Sequence, residues 1–257
     1  VTDRAKSSEG TPTKDYGAAG AVWMQGGSFT MEEGAVIENV VGRAVYADGG
    51  EAVINGTISG IKSDGDMWQG TNGAALHLRN GATGVLNGSI EKSSGKGHLI
   101  DVEFSTFEMT STAKITSIQE SGEIDWEGNV IYAHGLDAKD GMASVEIDGE
   151  IAYAANGSHV LQTADYTKTT VGKNGNIHHN SCYYGALYLN GENEYLDFYG
   201  KVNNNYSSDR GGGIVLANNG GAKTAIMYEG AEVKGNIAKK TGGGIMVSVG
   251  SFTMKGG

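Results

Sequence analysis

Short apolar runs of three to five residues, alternating with polar ones and separated by glycine, recur along the whole chain. A repeat of two is the period of a half-buried strand; a helix would return its apolar positions every three or four residues. One such run, preceded by small residues, appears at Val22, Val45, Leu76, Leu99, Ile131, Val160, Leu187, Ile214 and Ile245, at intervals of 23 to 32 residues. Two more apolar pairs follow in each unit and meet through one of two turns. In the short turn the anchors lie four positions apart around a glycine: Ile54 and Ile58, Leu86 and Ile90, Ile147 and Ile151, Phe198 and Val202. In the long turn they lie six apart: Met31 and Ile37, Met109 and Ile115, Val171 and Ile177, Met227 and Val233.

Three short strands per unit, rich in valine, isoleucine and tyrosine, predict an all-β chain wound as a right-handed parallel β-helix of about nine turns. At the strand spacing of ~4.8 Å the stack would be a rod of roughly 40 Å. Residues 21–257 form this single domain, and residues 1–20, polar and holding the only proline, Pro12, read as a loose leader. The final Ser251-Phe252-Thr253-Met254 is identical to Ser28-Phe29-Thr30-Met31, so the chain reads as a fragment of a longer repeat protein. Alternation places Phe29, Met31, Phe107, Met109, Val145, Ile147, Leu196 and Phe198 inside. Asn180, Asn205 and Asn236 each follow an inward residue, Ile177, Val202 or Val233, by three positions. They are expected to form an inward ladder of side-chain amides, against the alternative of ordinary exposed turn asparagines.

Composition narrows the function classes. Glycine makes up 43 of 257 residues without a G-X-Y triplet, which excludes collagen, and the charged fraction of 19% is too low for an acidic disordered chain. The formal net charge of −11 makes nucleic acid and anionic membranes poor partners. No apolar run is long enough to cross a membrane as a helix, and the lone Cys182 supports no disulfide framework.

The segments Gly211-Gly212-Gly213-Ile214-Val215 and Gly242-Gly243-Gly244-Ile245-Met246, with the two Ser-Phe-Thr-Met runs, carry a resemblance to known proteins. They resemble the pectate-lyase-like β-helix superfamily, and more closely the glycine-rich repeats of bacterial surface adhesins and autotransporter passengers. The resemblance implies a bacterial protein, secreted or held on the cell surface, that binds a host protein or glycan without catalysing a reaction. The superfamily also implies an alternative, a polysaccharide lyase or glycoside hydrolase, and a third reading is a structural stalk, because one solenoid hosts many functions.

Little reactive chemistry is legible. The Asn-Thr-Asp, Asp-Asp and Gly-His-Gly runs of polygalacturonase-like hydrolases do not occur, and no Gly-x-Ser-x-Gly is present. His178 and His179 are adjacent, so in a strand they would face opposite sides and could not easily share an ion. Asp64 and Asp66 could open an oxygen-rich calcium loop, but neither the EF-hand spacing nor the calcium nonapeptide is present. No cofactor and no metal are expected.

The expected site is a surface. In the first strand of each unit, alternation turns Trp23, Tyr46, His77, Tyr132 and Tyr188 outward in one line. The phase of the Leu99 and Val160 units is open. Two long connections, Ile58 to Leu76 and Ile115 to Ile131, carry Trp68 near Asp64 and Asp66, and Trp126 between Asp125 and Glu127. Long insertions on a rigid solenoid concentrate binding residues, and flat rings suit sugar faces and protein anchors alike. The competing expectation is that these loops fold over the stripe as a satellite core.

Overall fold

The computed structural model describes residues 20–63, 74–95, 97–116, 128–137, 141–155, 158–217 and 219–256. Asp64, Asp66, Trp68, Asp125, Trp126 and Glu127 lie outside the described residues, as does almost all of the leader. Every strand pairing is parallel and joins a strand to its equivalent in the next unit. The first sheet has nine strands, from Gly20–Gln25 to Ile245–Val247, and the second nine, from Ser28–Met31 to Ser251–Met254. The third has eight, from Val36–Glu38 to Glu232–Lys234. A small fourth sheet, Ser181–Cys182, Tyr206–Ser207 and Ile237–Ala238, extends the corner after the third. The molecule is a parallel β-helix of eight complete turns, followed by a turn whose first two strands lie among the described residues, where there is no helix.

The core is a set of apolar columns, one residue per turn. The third sheet stacks Ile37, Ile58, Ile90, Ile115, Ile151, Ile177, Val202 and Val233 in register. All but Val233 are buried, and each such side chain contributes about 1.5–3 kcal/mol. In the second sheet Phe107 is paired with Gly84, where an added Cβ would lie 2.6 Å from a Leu78 methyl. The missing side chain makes room for the Leu76 and Leu78 methyls packed across the core.

Glycine is required where backbones stack. In the short turns, Gly56, Gly88, Gly149 and Gly200 precede the third strand, and a Cβ on Gly88 would lie 1.9 Å from the Gly56 carbonyl oxygen. That oxygen accepts the Ser89 N–H at 3.1 Å, so it cannot swing away without breaking the ladder.

The asparagine ladder forms as expected. The Asn180 Nδ2 group donates to the Ile151 carbonyl (3.1 Å) and to Asn205 Oδ1 (2.9 Å). Asn205 repeats the pattern one turn on, to the Ile177 carbonyl and Asn236 Oδ1, both at 2.9 Å. Asn180 Oδ1 closes the series by accepting the Ala154 N–H at 2.8 Å.

Candidate functional site

The first sheet carries the candidate site. Its inward column runs Val22, Val45, Leu76, Ile100, Ile131, Leu161, Leu187, Ile214 and Ile245. Seven of these are the anchors expected from the sequence; in two turns the strand is anchored one residue later, at Ile100 rather than Leu99 and at Leu161 rather than Val160. A slip of one residue exchanges the faces of a strand. The outward column is therefore Trp23, Tyr46, His77, Asp101, Tyr132, Gln162, Tyr188, Val215 and Met246, paired turn by turn. The five sequence-predicted residues on this sheet do share one line. They do not share one environment: Trp23 is 56% exposed, Tyr132 and Tyr188 are half-buried, and Tyr46 and His77 are enclosed at 4% and 6%.

The middle of this face is a grid of polar side chains on three neighbouring strands: His77 and Arg79, Asp101 and Glu103, Tyr132 and His134. Glu103 Oε2 lies 3.6 Å from His77 Nε2 and 3.5 Å from Arg79 Nε. Arg79 Nη1 donates to the Tyr46 hydroxyl at 3.4 Å, and the Tyr46 ring meets His77 edge-on at 5.1 Å. His134 Nε2 stands 4.0 Å from Asp101 Oδ1. Asp101 is only 3% exposed, and among the described residues its Oδ1 and both His77 ring nitrogens have no hydrogen-bond partner.

These surroundings drive the two carboxyls apart. Burial, reinforced by the charge of Glu103, pushes Asp101 up to about 7. The His77 ring beside Glu103, together with Arg79, holds that carboxyl below the usual range against its own burial. Burial lowers His77 and His134 and drives His98 down to about 3, so the imidazoles are neutral. The buried Asp101 therefore holds its proton to far higher pH than Glu103, its neighbour on the same strand face.

Towards the C-terminal turns the face becomes aromatic. The His159 and Tyr188 rings stack at 4.1 Å with 2° between planes, and Tyr184 stacks on both, at 5.7 and 5.5 Å. Beside them opens a cavity of about 200 Å³ lined by Tyr184, Tyr188, Arg210, Val215, Asn219 and Met246. Arg210 Nε donates to Asp209 Oδ1 at 3.1 Å, and Asp209 is also paired with Lys240.

Sequence reasoning missed Arg79, Asp101, Glu103, His134, Tyr184 and Arg210 as members of this face. The signal for the carboxylates was present: Ile100-Asp101-Val102-Glu103 alternates cleanly, but the preceding Leu99 offered a second anchor. The expectation for the two adjacent histidines is corrected. His179 follows the strand Asn176–His178 with φ of +54°, so the alternation stops there and its ring comes round to that of His178, with Nδ1 atoms 2.7 Å apart. Neighbouring turns take the same left-handed corner at Tyr153 and Asn204.

No family model, no curated protein and no solved structure matches the chain.

Proposed function

We propose that this chain is a ligand-binding β-helix module of the adhesin kind, presented outside a bacterial cell, and that it takes a glycan on the outer face of its first sheet. The observation that carries the reading is the Tyr184–Tyr188–His159 stack beside a cavity of about 200 Å³, a volume suited to one sugar ring. Tyr184 and Tyr188, half-buried and stacked on the buried His159, are held in place by their neighbours and lose little freedom on binding. Asn219 and Arg210, both on connections between strands, supply polar groups to the lining. A host protein anchored on the same rings is the competing occupant.

A glycan array and a host-protein array, each probed with the whole chain, test the reading. Binding to defined glycans is expected, and Tyr184→Ala with Tyr188→Ala should weaken it at least tenfold. Retention of proteins alone, or unchanged glycan affinity in the double variant, rejects it.

A further inference from the structure

We propose that His178 and His179 form a binding site for a divalent transition cation with tetragonal preference, Cu2+ or Ni2+, at the corner after the third sheet. The two Nδ1 atoms stand 2.7 Å apart, with the rings nearly perpendicular at 87° and their centroids 5.0 Å apart. Two imidazole nitrogens bound at about 2.0 Å to one ion are about 2.8 Å apart when cis in a square-planar or octahedral shell, and about 3.3 Å apart in a tetrahedron. The two nitrogens, now joined by an N–H···N hydrogen bond, already lie near the cis spacing, so a small rotation of the rings brings both lone pairs onto one ion.

The supporting contacts are those of a metal ligand. His178 Nε2 lies 3.0 Å from Glu150 Oε1. The His178 ring and the Lys114 ammonium, 3.4 Å from Oε2, hold the Glu150 carboxyl below its usual range, so Glu150 is ionised and can only accept. The imidazole must then carry its proton on Nε2, which leaves the Nδ1 lone pair directed at His179. A carboxylate behind the distal nitrogen fixes the tautomer and makes the ligand more basic. Tyr153 holds both rings, stacked on His179 at 5.5 Å and edge-on to His178 at 5.9 Å. In the metal-free protein the His179 Nδ1–H fills the gap by donating to His178. Binding moves that proton to Nε2 of the exposed His179 ring, so no net proton is released.

Among the described residues no set of three or more His, Cys, Asp or Glu side chains is arranged to hold a metal. The ion would therefore take two protein nitrogens and complete its shell with water, giving an open site.

Calorimetric titration of the whole chain with CuCl2, NiCl2 and ZnCl2, paired with EPR of the Cu2+ form, tests the assignment. The expected result is one Cu2+ with a tetragonal spectrum split by two imidazole nitrogens, and Ni2+ held more tightly than Zn2+. His178→Gln and His179→Gln should each remove this binding event. Glu150→Gln, which leaves both ligands in place, should weaken it about tenfold. Circular dichroism showing an intact β signal in each variant separates loss of a ligand from loss of the fold. Equal titrations for wild type and a folded His178→Gln, His179→Gln double variant overturn the proposal, as does a wild-type spectrum with a single coordinated nitrogen.

Discussion

Asn205→Ala is expected to be among the most damaging single substitutions in this molecule, although it removes no charge and only a small side chain. Asn205 Nδ2 donates to the Ile177 carbonyl and to Asn236 Oδ1, both at 2.9 Å. Its Oδ1 accepts the Asn180 N–H at 3.0 Å and Asn180 Nδ2 at 2.9 Å. Alanine abolishes all four bonds. Asn180 and Asn205 are buried, so water cannot replace the lost partners without opening the turn. The Asn180 backbone N–H is orphaned outright, and the Asn180 amide and the Ile177 carbonyl each lose a partner. At about 1–3 kcal/mol for each buried group left unsatisfied, the variant should lose about 3–5 kcal/mol. Asn205→Asp should be no better, because it keeps the acceptor and loses both donors. Urea unfolding followed by circular dichroism gives the global loss. Amide exchange at Asn180 gives the local one, which matters because a solenoid can open one turn at a time. A loss below about 1 kcal/mol, similar to that of the exposed Lys168→Ala, with unchanged exchange at Asn180, would refute the reasoning.

Other substitutions probe other parts of the stack. Gly88→Ala places a methyl 1.9 Å from the Gly56 carbonyl oxygen and should destabilise by about 1–3 kcal/mol or more in urea; a neutral result would mean the turns are not stacked as described. Asp101 has a carboxyl raised from 3.8 to about 7, so the folded state holds its proton where the unfolded chain has lost it. Its contribution is fully present below about pH 4 and lost as pH rises through 7, on the order of 4 kcal/mol. Asp101→Asn should therefore gain stability over the wild type at pH 8 and not at pH 4; a pH-independent difference between the two melting curves contradicts this. The buried pair Lys223 and Glu194, 4.0 Å apart, should respond asymmetrically. Lys223→Met alone should cost about 3–5 kcal/mol at pH 8, where Glu194, raised to about 7 by burial even with the Lys223 charge beside it, must either ionise without that partner or take up a proton. Adding Glu194→Gln should recover most of the loss, and failure to recover would show that Lys223 acts instead through its ammonium, which donates to the Asn219 and Gly221 carbonyls.

The fold was legible because a solenoid writes its geometry into a period. The units at Leu99 and Val160 stayed open in phase for a shared reason: each is an apolar residue directly before the true inward one, so the pattern alone offers two phases. That ambiguity hid Asp101 and Glu103, since the wrong phase turns both inward. His178 and His179 were misjudged for a different reason. Strand alternation was extended one residue beyond the strand, into a corner where φ is positive. Asn180, Asn205 and Asn236 were placed correctly because three consecutive turns kept one spacing.

The sequence by itself determined that the chain winds, which residues form its core and where small residues must stand, since these follow from period and side-chain size. Only the tertiary structure decided the phase of each strand and the environment of each outward residue. Burial and partnership are set by neighbours some 23 to 32 positions away along the chain. Tyr46 and Trp23 are equivalent in the repeat, yet one is enclosed and the other open. The proton affinity of Asp101 likewise belongs to the stack of turns around it, because a carboxyl is tuned by the dielectric and charges it meets in space.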